Sequence, residues 1–205
     1  MSNRRVLDVS GLPPYDVSNH APLWLGQLCL VAVEGTIFGI LIAMYFYYRL
    51  SVDVWPPPGT KLPGVLNATL ALFILLASTI GSYIASEGAK KNERSPMIFG
   101  LVLNVALAFV FLGLRWLEMR SLNFTWAADV HGSVVWTILG MHTLDVVADL
   151  LFTIVLLVLV VLGRTDARVR LGVHVDSVVW YFLVAIWVPL YVVIFWGPRL
   201  VGTPR

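Results

Sequence analysis

Five apolar stretches, each long enough to cross a bilayer, take up most of this 205-residue chain. A hydrocarbon core about 30 Å thick needs roughly 20 helical residues. The stretches fall near 22–49, 65–86, 97–119, 132–163 and 175–197. In lipid each backbone N–H and C=O must be paired internally, and no barrel-like alternation is visible, so these segments are predicted to be helices. The fold class is therefore an all-α integral membrane protein, a bundle of five transmembrane helices. The mean hydropathy of +0.84 and a charged fraction of only 13% agree. A net charge of +2 gives no reason to expect a nucleic acid partner.

The first and fourth stretches exceed the core thickness and are expected to tilt or protrude. The connections read as short loops, one of them carrying Pro56, Pro57 and Pro58, which cannot continue a helix. Residues 1–21 read as a polar tail, unlike a cleavable signal peptide, and 22–205 as a single membrane domain. Of the 14 Lys and Arg residues, eight (Arg4, Arg5, Lys90, Lys91, Arg94, Arg164, Arg168, Arg170) fall on one side and six on the other. That bias places the N-terminus in the cytoplasm and the C-terminus on the periplasmic or extracellular side. Cys29, the single cysteine, cannot form an intrachain disulfide, and CxxC motifs are absent.

In such a chain the polar residues inside the spans carry the information. Glu34 lies well inside the first span. An ionised acid there is costly, so it is expected to be uncharged and to face protein or a cleft. Gly35 and Gly39 form a small-xxx-small pair suited to close approach of another helix. His142, Asp145 and Asp149, at i, i+3 and i+7, share a helix face. They suit an interhelical hydrogen-bond network better than a metal, because one helix face rarely supplies a full ligand set. Arg115 and Glu118, at i and i+3, read as an ion pair. His131 and His174 are placed at helix starts, beside the water interface. No P-loop, HExxH or GxSxG motif is present, and buried His is too scarce for a haem-carrying bundle. The residues themselves leave two readings open, an accessory subunit or a small transporter or proton channel centred on Glu34.

Six segments, in order, resemble subunit III of the haem–copper respiratory oxidases in its five-helix bacterial form. "VEGTIFGILIAMYFYYR" places Glu34 at the family's glutamate, and "WPPPG" is similar to its Trp–Pro loop. "LNATLALFILLAST" matches at Asn67 and Thr69, and "FLGLRWLEM" at Glu118. "GMHTLDV" matches at His142, and "HVDSVVWYF" at His174 and Trp180. Departures stand at Arg115, at Asp145 in place of a second His, and at Ser177, with Asp176 one place before the family's Asp. The resemblance implies a non-catalytic subunit of a proton-pumping cytochrome c or quinol oxidase. It implies no cofactor on this chain, haem and copper on partner subunits, and packing against subunit I in a complex that includes subunit II. It further implies support of proton uptake and of complex stability, and phospholipid in a cleft between the first two helices and the rest. The bacterial cytoplasmic (inner) membrane and respiratory supercomplexes are the corresponding setting. Glu34, Glu118, Arg115, His142, Asp145, Asp149 and His174 become the polar candidates for proton uptake or structure. A subunit III-like partner of a nitric oxide reductase is an alternative within the same resemblance.

Overall fold

The computed structural model describes residues 22–200, and these are helical with connecting loops. The N-terminal tail expected from the sequence lies outside them. The helices are α1 (Pro22–Leu50), α2 (Val65–Lys91), α3 (Arg94–Ser121), α4 (Val130–Val161) and α5 (Ala167–Tyr191). A π-helical turn, Val192–Trp196, and a short α6, Gly197–Leu200, continue α5. Among the described residues, five helical stretches are long and apolar enough to cross a membrane, as the sequence predicted.

Local signals explain most helix ends. At the start of α4, Asp129 Oδ1 accepts a 2.7 Å bond from the Gly132 N–H, an N-cap that pairs an otherwise orphaned donor. α2 ends where Asn92 takes a left-handed conformation, φ 58°, and the Glu93 N–H bonds back to Gly88 O at 2.8 Å. Pro189 removes a backbone donor shortly before the π-helical turn. The Arg94 guanidinium reaches across to the carbonyls of Val160 and Val161, capping the last turn of α4.

α5 begins at Ala167 rather than near 175. The charged segment "ARVRLG" lacks an apolar window, yet it continues the helix and brings Val169 and Val173 into a core cluster with α2 and α3 residues. α2 likewise runs on to Lys91.

The most extensive packing joins α2 to α3. Gly81 and Gly100 let the two backbones nearly touch. A Cβ on Gly100 would fall against Ala85 N and Gly81 O, and one on Gly81 would lie 2.8 Å from Gly100 O. Within the chain, Gly35 and Gly39 make no such approach: a Cβ on Gly35 would meet only Phe182, at 3.6 Å, and one on Gly39 nothing within 4 Å. α5 is the hub, packing on α2, α4 and α1. The main core is aromatic, with Phe38, Tyr45, Trp55, Phe111, Trp180, Trp187 and Phe195 all buried. α1 leans on α4 and α5 and leaves Leu25, Leu30, Val33, Ile40 and Tyr47 exposed. Outward apolar surface of this kind suits lipid or a partner helix.

Candidate functional site

Three helices converge on a cleft of about 300 Å³ that is lined by four carboxylic acids. α1 supplies Glu34 and, two turns earlier, Gln27. α4 supplies Asp145 and Asp149, and α5 supplies Asp176. Helical spacing accounts for each contribution. Leu23, Gln27, Leu30 and Glu34 follow one stripe of α1. Asp145, Ala148, Asp149 and Phe152 follow one stripe of α4. Gly172, Val175, Asp176, Val179 and Leu183 follow one stripe of α5. Among the described residues, no Lys or Arg lines the cleft.

The acids differ in depth. Glu34 and Asp145 are half-buried. Asp149 is 8% exposed and Asp176 2% exposed. Among the described residues, Asp149 Oδ2 has no hydrogen-bond partner. Both Asp176 carboxyl oxygens lie 3.1 Å from Thr153 Oγ1, which also lies 3.0 Å from the backbone oxygen of Asp149. Among the described residues, no three His, Cys, Asp or Glu groups are arranged to hold one metal ion. The arrangement can bind water and protons within the membrane, and it can hold or pass a proton between helices.

A second polar site sits deeper in the bundle. Arg115 and Glu118 form the expected i, i+3 ion pair, with Arg115 Nη1 donating to Oε1 at 3.1 Å and to Oε2 at 3.0 Å. Both side chains are fully enclosed. The guanidinium carbon lies 3.7 Å from the Trp187 ring centroid and 5.1 Å from that of Phe111, so cation–π contact supplements the carboxylate. His142 stacks on the same Trp187 ring at 4.6 Å, and its Nε2 pairs with Leu183 O at 3.1 Å. His142 therefore bonds across helices as expected, but it stands apart from the cleft that Asp145 and Asp149 line.

Two expectations are overturned. His174, placed at a helix start in water, is two turns inside α5 and 6% exposed, with Nδ1 2.8 Å from Ser86 Oγ of α2. The reason is the early start of α5. His131 does stand at the start of α4 but is 2% exposed; it is packed edge-on against Trp55 and Phe124, and Asp129 does the capping. The cleft implied between the first two helices and the rest is also corrected. α2 packs along α3 and α5 while α1 packs on α4 and α5, so the first two helices are not set apart. The cleft present runs between α1 and the α4–α5 pair. Sequence reasoning did not place Asp176, Gln27 or Thr153 in a site. The Gly172–Asp176 spacing would have shown the acid facing inward, had α5 been started at Ala167.

A polytopic helical membrane protein, with acids from separate helices facing one intramembrane cleft, is the class that fold and site define. The family model for cytochrome c oxidase subunit III matches residues 15–198, and the chain belongs to that family. It is similar to cytochrome c oxidase subunit 3 of Allomyces macrogynus, 31% identical over 184 residues, covering 86% of this chain and 67% of that protein. The wheat (Triticum aestivum) protein of the same name is 29% identical over 180 residues, covering 83% and 67%. The one from the cyanobacterium Synechocystis is 23% identical over 176 residues, covering 83% and 73%. The chain spans about two thirds of the length of these relatives.

Proposed function

We propose that this chain is the accessory, cofactor-free subunit III of a proton-pumping haem–copper terminal oxidase. The observation that carries the reading is the family match across nearly all of the described helices. The electron-transfer centres, haem and copper, reside on partner subunits, and this chain packs against subunit I in a complex that also holds subunit II. The outward apolar surface of α1 supplies the kind of face such packing needs.

Support of proton uptake is the second part of the proposal. An intramembrane cleft carrying Glu34, Asp145, Asp149 and Asp176, with no basic residue among the described ones, suits holding and delivering protons. The Arg115–Glu118 pair and the His142 and His174 contacts act in this reading as struts that hold α2, α3, α4 and α5 in register. Residues 22–205 act as one membrane domain behind the tail. The chain lies in a bacterial cytoplasmic membrane with its N-terminus in the cytoplasm, and bound phospholipid covers its outward apolar faces.

Purification of the tagged chain from its native membrane under mild detergent tests this proposal. A stoichiometric haem protein with O2-reducing activity is the expected companion. A tagged chain that purifies alone, or with a nitric oxide reductase, would overturn it.

A further inference from the structure

We propose that Asp149 and Asp176 form a proton-holding pair at the buried end of the α1–α4–α5 cleft, loaded from water through a mouth bordered by Glu34 and Asp145. The pair deepens the proton-uptake reading and rests on it for its use, but its occupancy by protons is a property of this chain alone.

Geometry around Thr153 carries the inference. A hydroxyl has one hydrogen. In this bundle Thr36, Thr69, Thr137 and Thr143 each give that hydrogen to the carbonyl four residues earlier. Thr153 is set the same way toward Asp149 O. The same hydroxyl is directed at both Asp176 carboxyl oxygens, at 3.1 Å, so its one hydrogen is divided between the Asp149 carbonyl and the Asp176 carboxyl. Asp176 therefore receives at most a share of one hydroxyl hydrogen from Thr153, weak compensation for a buried carboxylate.

Asp149 supplies the second, independent observation. Asp149 lines the cleft, and its buried Oδ2 has no hydrogen-bond partner among the described residues. It lines the same cleft as Asp176 and Glu34. Among the described residues, the titratable groups that line the cleft with the pair are acids, Glu34 from α1 and Asp145 from α4. α2 and α3 place no titratable group in the cleft lining. His174, two residues from Asp176, points instead to Ser86. Several carboxylates without a basic partner cannot all stay ionised in a low-dielectric wall. The neutralising cation is a proton rather than a metal ion, because the acids do not converge as a ligand set. Room for several waters exists in about 300 Å³. Loading is a simple transfer: a hydronium in the cleft gives a proton to a carboxylate oxygen and leaves as water.

Infrared difference spectroscopy of the full chain in lipid nanodiscs tests this, with pH changes in H2O and D2O. The wild type is expected to show a protonated-carboxyl stretch at neutral pH that shifts down in D2O. D176N should remove it. D149N should displace it, because Asp149 lines the same cleft wall as Asp176. T153V should shift it by removing the hydroxyl contact, while T153S restores it. A neutral-pH spectrum with ionised carboxylates only would overturn the proposal. So would a band unaffected by D149N and D176N alike, or one replaced stoichiometrically when Na+ is titrated in, since the cleft would then hold an alkali cation. These outcomes are independent of any oxidase partner, so failure here is distinct from failure of the subunit III reading.

Discussion

Arg115 and Glu118 face each other at 3.0 Å on one side of α3, with side chains 0% and 1% exposed. The pair is held in the aromatic core by Trp187 and Phe111 rather than by solvent. Removing one partner leaves a buried charge uncompensated, which typically costs about 3–5 kcal/mol. Glu118→Leu or Arg115→Met alone should therefore lower the thermal midpoint of the detergent-solubilised protein sharply. The double variant should recover much of the loss, because no lone charge remains. A double variant as unstable as the sum of the singles would show that the two residues do not act as a pair.

Close approach of α2 and α3 makes an equally direct prediction. Gly100→Ala places a methyl group against the backbone of Ala85 and Gly81, and overpacking of this kind costs about 1–3 kcal/mol. Gly39→Ala meets nothing within 4 Å and should leave the stability of the isolated chain unchanged. Thermal unfolding of the two variants side by side checks the contrast. Equal midpoints would mean the helices separate more readily than their packing implies.

Topology can be read from two exposed loop positions. With the N-terminus in the cytoplasm, the α2–α3 turn at Glu93 is cytoplasmic and the α1–α2 loop at Asp53 lies outside. In a Cys29→Ser background, Asp53→Cys should react with an impermeant maleimide on intact cells, and Glu93→Cys only after lysis. The reverse pattern would invert the assignment, along with the side from which the acid cleft is reached.

These tests follow the line between what the sequence shows and what packing adds. The five spans are legible because lipid leaves the backbone few choices, and the Arg115–Glu118 pair is legible because i, i+3 spacing is local. The cleft is not local. Glu34, Asp149 and Asp176 lie on three helices, and only the way α1 leans on α4 and α5 brings them together. His174 was misplaced for a different reason. Arg168 and Arg170 interrupt the apolar run without interrupting the helix, so hydropathy marks where the membrane begins and not where the helix does.

Glu34 is the test of what the cleft is for. It is half-buried at the border of the cleft, on the same stripe of α1 as Gln27 and within electrostatic reach of Asp145. Its position lets water reach it while the bundle surrounds the rest. If it passes protons inward, the side chain must be able to ionise. Glu34→Gln keeps the shape and the hydrogen-bonding capacity but cannot release a proton. Glu34→Ala removes both. A proton-exchange role predicts that the Gln variant assembles as wild type, and that the complex then takes up protons more slowly or loses activity sooner at high pH. A structural role predicts normal turnover for Gln and a loosened complex for Ala. The two roles separate on the Gln variant alone, by comparing the yield of assembled complex with its proton-uptake rate and its lifetime during turnover. Wild-type behaviour of both variants in all three measurements would remove Glu34 from the function of the cleft and leave Asp149 and Asp176 to account for it.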